Sequence, residues 1–183
     1  MERLEEKTIN TEEIFSGKVI KLQIEDVELP NGKIAKREII KHPGAVAVLA
    51  ITDDNKIVMV EQYRKALEKT IIEIPAGKLE RGEDPLDCAK RELEEETGYE
   101  CLEIKKLISF YTSPGFADEI IHLYIATGLR KKENAASPDE DEFLNLLEMT
   151  LEDAEKLIEE EKIHDAKTAY AISYMQLQKA LNK

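Results

Sequence analysis

The chain has 183 residues, enough for one domain or one domain with a small appendage, and 42% hydrophobic content is ample for a core. A formal net charge of −13 makes free duplex nucleic acid a poor partner, and any phosphate handled here needs metal ions or local Arg and Lys to offset repulsion. The N-terminal MERLEEKTIN lacks the basic and apolar segments of a secretory signal, and no apolar run approaches the ~20 residues of a spanning helix, so a cytoplasmic protein without a membrane partner is expected.

Residues 1–16 are polar and weakly patterned, and no element is assigned to them. Ile20, Leu22 and Ile24 alternate with polar residues, the mark of a half-buried strand. The alternation slips at Glu25-Asp26 and resumes at Val27 and Leu29, which predicts a bulge there. Pro30-Asn31-Gly32-Lys33 is a hairpin turn, followed by a strand over 34–41. So few strands cannot stand alone and must pack on the main domain or on another chain. His42-Pro43-Gly44 marks the boundary. Strands are predicted over 45–51, 57–64 and 70–74, the first two joined by the turn Asp53-Asp54-Asn55. Later strands cover 101–112 and 120–126, separated by the loop Ser113-Pro114-Gly115-Phe116. Residues 129–142 are charged, break at Ser137-Pro138, and are expected to form an exposed, mobile loop. A strand over 143–149 precedes two helices, one capped by Thr150 and one by Asp165. The order predicts the α/β class: an α/β/α sandwich with a mixed sheet over 43–183, plus a small N-terminal antiparallel β arm over 1–42.

The stretch GKLERGEDPLDCAKRELEEETGY, residues 77–99, organises the rest. Asp84 and Pro85 start a helix, and Gly98 stops it in the left-handed conformation. At about 100° per residue, Leu86, Ala89, Leu93 and Thr97 form an apolar arc facing a core. Glu92, Glu95 and Glu96 share the adjacent arc, with Cys88 and Arg91 on or near it, while Asp87, Lys90 and Glu94 point to water. Like charges at i, i+3 and i+4 destabilise a bare helix. A cation relieves that cost, and carboxylate oxygens suit hard ions, Mg²⁺ above all when phosphates complete its shell. For EExxE alone, a solvated surface helix is the commoner outcome. Cys88 and Cys101 are expected as free thiols, and scattered His with no CxxC argue against zinc.

The whole pattern is more restrictive: Gly77, five residues, Glu83, seven residues, Arg91-Glu92-Leu93, one residue, Glu95-Glu96, one residue, Gly98-Tyr99. It resembles the Nudix box, the loop–helix–loop signature of hydrolases that cleave a nucleoside diphosphate linked to another moiety. Tyr99 stands where the family usually has an aliphatic residue. The resemblance implies that Glu92, Glu95 and Glu96 bind metal, that Glu83 and Arg91 brace the loop against the helix, and that Gly77 permits a tight entry turn.

Features outside the box are similar to the bacterial ADP-ribose-hydrolysing subfamily, and the likeness spans about 16–180. Pro114, in SPGFADE, lies where that subfamily carries a Pro, and Glu119 matches a Glu near the terminal ribose. Gln62-Tyr63-Arg64 and Glu73-Ile74-Pro75-Ala76-Gly77 resemble substrate-lining strands, with the Ala76 carbonyl offered to a metal. Arg64 either pairs with a phosphate or forms a salt bridge with Glu61 or Glu73, two readings of equal weight. In 129–142 the family's Glu-x-Glu aligns with Glu140 and Glu142. Glu140 is assigned as base and Glu142 as metal helper, roles that are exchangeable. Arg37 matches an Arg that reaches across a strand-exchanged homodimer to adenine. These likenesses imply hydrolysis of ADP-ribose to AMP and ribose 5-phosphate with two or three Mg²⁺, Mn²⁺ being able to substitute. The rivals are another sugar nucleotide such as GDP-mannose, a dinucleoside polyphosphate or an oxidised nucleotide. A rival of another class is a ligand-sensing regulator without catalysis, against which the intact box and the acidic chain weigh.

Overall fold

A strand lies where sequence patterning assigned no element. β1, Lys7–Ser16, is exposed along its whole length, so it has no buried face to impose an alternation. It pairs antiparallel with β2, Lys21–Glu28, which pairs antiparallel with β3, Ile34–Lys41. The computed structural model describes residues 4–133 and 143–181. The predicted bulge is displaced. β2 and β3 stay in register throughout, and the irregularities fall in β1, between Thr8 and Asn10 and between Glu13 and Phe15. The slip at Glu25-Asp26 reflects instead a strand half-covered on both faces. The hairpin turn closes as expected. Gly32 takes φ 78°, Leu29 N donates to Lys33 O, and Asn31 Oδ1 accepts from Lys33 N.

The chain forms two units. The first comprises residues 1–44 with 110–120, and the second comprises 45–109 with 121–183. In the first, β3 is joined to the 110–120 loop. Ile40 N donates to Phe116 O at 2.7 Å, Asp118 N donates to Ile40 O, and Lys41 Nζ meets Asp118 Oδ2 at 2.8 Å.

The second unit holds two sheets. In one, β4 (Ala45–Ala50) lies between β7 (Ala76–Lys78), antiparallel to it, and β9 (Ile120–Lys131), parallel to it, with β8 (Tyr99–Tyr111) outside β9. The sheet is therefore mixed. The other runs β10 (Leu144–Met149), β5 (Ile57–Arg64) and β6 (Lys69–Glu73), antiparallel throughout. β7 was not anticipated, being too short to carry a period, and β9 runs on to Lys131, through the first residues expected in the loop. Val46 to Ala50 are fully buried on both faces, as a strand covered on both sides must be.

α1, Pro85–Thr97, lies against β4 and β7 and also touches β5 and β10. Cys88, Ala89 and Leu93 pack there with Val46, Val48, Val58, Tyr99 and Tyr124. Its caps are those predicted: Asp84 Oδ1 accepts from Leu86 N at 2.8 Å, and Gly98 sits at φ 70° with its N–H on Glu94 O. α2 (Leu151–Glu159) is capped by Thr150 and packs on α3 (Ala166–Leu181), whose first turn is capped by Asp165. Cys88 and Cys101 are free thiols. No described helix is long and apolar enough to cross a membrane.

Candidate active site

Arg91 is the hub of the helix edge. Its Nε and Nη2 donate to the two oxygens of Glu83 at 2.9 and 3.1 Å, which ties the loop to the helix. Its Nη1 donates to both Glu92 Oε1 and Glu95 Oε2 at 2.8 Å. One guanidinium thus serves three carboxylates. The Arg91 hydrogen bond is the chief cause that holds Glu83 down to about 2, and Glu80 N adds a second donor. Cys88 lies under the same fork, 3.3 Å from Arg91 Nη2. Burial pushes its thiol up to about 12, so it is no nucleophile.

Glu92 and Glu96 are buried, at 7% and 5% exposure, although both carry acid groups. The short strand β7 explains how they are accommodated. Ala76 N donates to Glu96 Oε2 at 3.0 Å. Gly77 lies so close to Glu92 that a Cβ there would fall 1.9 Å from the carboxyl carbon. Gly77 is in a strand and has no positive φ, so the expected tight turn is corrected: its missing side chain makes room for Glu92. Glu94 is corrected too. It is half-buried and paired with Lys132 Nζ at 2.7 Å rather than left in water.

Among the described residues, no three His, Cys, Asp or Glu side chains converge as a metal cage. The donor set nonetheless fits a hard divalent cation. Three carboxylates share one helix edge, and the missing side chain of Gly77 lets the Glu92 carboxylate sit against the β7 backbone on that edge.

Tyr99 buries its ring in the α1 core and donates its hydroxyl to Glu148 on β10, which raises the phenol to about 12. Lys131 Nζ lies 4.5 Å from the ring centroid.

The other predicted residues fall as follows. Arg64 Nε donates to Glu73 Oε2 at 2.6 Å. Glu73 is 3% exposed, and its other oxygen accepts from Lys167 Nζ. Lys167 and Glu148 were not anticipated, and Asp165 was expected only as a helix cap. The Lys167–Glu73 contact spans 94 residues of sequence, and no local pattern signals it. In the first unit, Arg37 is held by Glu6 through Nε and Nη2, at 2.9 and 2.6 Å. Pro114 lies in the turn closed by Phe116 N and Ala117 N on Ser113 O. Glu119 accepts from Thr112 Oγ1 at 2.6 Å and stands 3.7 Å from His42 Nε2. Glu140 and Glu142 lie outside the described residues.

A helix edge of carboxylates, braced to its entry loop by one Arg and roofed by a glycine, suits an enzyme that grips a diphosphate through divalent metal. The NUDIX domain family matches residues 41–171, and the chain belongs to that family. It is 70% identical over 177 residues to a Bacillus methanolicus protein named methanol dehydrogenase activator, covering 97% of this chain and 96% of that one. It is 64% identical over 181 residues to an ADP-ribose pyrophosphatase of Bacillus subtilis strain 168, covering 99% and 98%. In fold it matches a crystal structure of an ADP compounds hydrolase with a TM-score of 0.83 over 95% of this chain and 94% of that one, at 21% identity.

Proposed function

We propose that the protein hydrolyses the diphosphate of ADP-ribose, giving AMP and ribose 5-phosphate, with Mg²⁺ bound at the α1 edge. The observation that carries the reading is the Glu92–Glu95–Glu96 edge held by Arg91, Ala76 and Gly77. The full-length likeness to an ADP-ribose pyrophosphatase supports the choice of substrate. Glu92, Glu95 and Glu96 would hold the metal, with the Ala76 carbonyl and Glu142 as further ligands. When bound, such ions offset phosphate charge and lower the pKa of a coordinated water. Arg64 pairs with a phosphate oxygen, Pro114 and Glu119 line the ribose side, and Glu140 takes the proton of the attacking water, Glu142 being the alternative base. Product analysis on ADP-ribose, GDP-mannose, a dinucleoside polyphosphate and an oxidised nucleotide, with and without Mg²⁺, tests this. AMP from ADP-ribose, formed only with divalent metal and faster than any other turnover, is expected. Faster cleavage of another compound reassigns the substrate, and no turnover on any of them returns the sensor reading.

The homodimer belongs to the same proposal. Leu4, Ile9, Ile14, Phe15, Val19 and Ile34 are exposed on the N-terminal unit, and a second copy would cover them. Glu6 pins one edge of Arg37, leaving the guanidinium face for adenine of the partner's substrate.

A second reading has its own observation, the 70% identical relative named methanol dehydrogenase activator. In that reading the chain raises the turnover of such a dehydrogenase. Adding wild-type protein and Glu96→Gln to the dehydrogenase assay shows whether activation occurs and whether it needs the hydrolytic site.

A further inference from the structure

Arg64 is the outer end of a row of four charged side chains. Its Nε donates to Glu73 Oε2, Lys167 Nζ donates to Glu73 Oε1, and Lys167 Nζ also reaches Asp165 Oδ1 at 2.9 Å. Three elements are tied together: β5 by Arg64, β6 by Glu73, and the start of α3 by Lys167 with its cap Asp165. Arg64 is the exposed end of the row, its side chain 38% exposed against 4% for Glu73, 10% for Lys167 and 17% for Asp165. The Nη groups of Arg64 make no hydrogen bond among the described residues.

A buried ion pair adds little net stability over a well-packed apolar pair, because both charges must leave water. Its retention calls for another reason. Here the pair does something an apolar pair cannot: it fixes the orientation of a planar fork whose donors are still available. An Arg gripped only at Nε presents both Nη groups to one anion, the bidentate geometry that suits phosphate. Glu73 is also only three residues from Ala76, so the base of the fork lies within ~10 Å of the backbone that holds Glu96.

We propose that Lys167 and Glu73 are positioning residues that hold Arg64 as a preset fork for the substrate diphosphate, an inference that rests on the phosphate role given to Arg64 above. Glu73 then acts through Arg64 and does not touch the ligand. Losing the clamp frees the Arg64 side chain, which must be reordered on binding, so substrate affinity falls while the chemical step is unchanged.

Steady-state kinetics on ADP-ribose with saturating Mg²⁺ tests it in a double-mutant cycle. Arg64→Ala should raise KM roughly tenfold, and Lys167→Met and Glu73→Gln should each raise it about three- to tenfold with kcat within about twofold. In the Arg64→Ala background neither should raise KM further, because the residue they orient is gone. Lys167→Arg should restore KM. If Lys167→Met does not fold, Glu73→Gln, which keeps the side-chain shape, carries the same cycle. Multiplicative effects in the Arg64→Ala background overturn the proposal, as does a lowered Tm with KM unchanged. An unchanged KM for Arg64→Ala itself is a separate result, which removes the phosphate role beneath it.

Discussion

The helix stretch 77–99 and the N-terminal strands treat their side chains in opposite ways. On α1 the acid groups are committed: Glu92 and Glu95 share Arg91, Glu96 takes a backbone N–H, and Glu94 takes Lys132. On β1 all ten residues are exposed, Ile9, Ile14 and Phe15 among them, on a three-stranded sheet. The first region satisfies charge internally and is ready for a small ligand. The second leaves apolar surface in water, the surface that the proposed second copy would cover.

The contrast within α1 breaks most sharply at Glu96. Glu96→Gln should lower kcat by about 10²–10³-fold, since charge aimed at the reacting diphosphate is lost while shape is kept. Glu94→Gln should leave kcat near wild type while losing the Lys132 pair, worth at most about 1 kcal/mol at this exposure. Equal losses in the two variants would show that the helix has no privileged edge.

Gly77→Ala comes next. The added methyl collides with Glu92, and the carboxylate must move, so kcat should fall about tenfold to a hundredfold while the protein stays folded. Raising Mg²⁺ should recover part of the loss if Glu92 is a ligand. A fully active Gly77→Ala enzyme would mean that Glu92 has no fixed place in the reaction.

The arm gives a smaller effect. Arg37→Ala should weaken ADP-ribose binding about tenfold, the ~1.4 kcal/mol expected of a desolvated cation–π contact. Mixing Arg37→Ala with Glu96→Gln subunits should restore part of the activity, because some mixed dimers hold one intact site. A monomer in sedimentation at micromolar concentration would show that the exposed strands have no second copy to cover them.

The box was legible because its information is local. Caps, a helical period and a fixed spacing all lie within 77–99, and the helix bounds match at Asp84 and Gly98. What escaped was either unpatterned or distant. β1 has no buried face, so nothing alternates. β7 is three residues long and is defined by pairing with β4. The role of Gly77 is set by a side chain fifteen residues further on, since only the folded chain places the Glu92 carboxyl over it. Lys167 meets Glu73 across the fold, where no spacing rule applies.

The brace between Glu83 and Arg91 gives the smallest effect and the one most specific to pH. Glu83 is held at about 2 against an ordinary 4.5, chiefly by the Arg91 hydrogen bond. A carboxyl whose pKa is depressed on folding stabilises the protein where it is ionised in both states, and that contribution disappears as pH falls through the folded value. The contribution is therefore full above about 4.5 and declines between there and about 2. Glu83→Gln removes the charge at every pH. Urea midpoints measured in EDTA should place this variant below wild type at pH 7, by a gap that stays constant to about pH 5. The two midpoints should then converge as the acid limb is descended. A gap that does not narrow below pH 4 would mean that the loss comes from packing or from the Glu80 N–H contact, and that α1 keeps its loop without this ion pair.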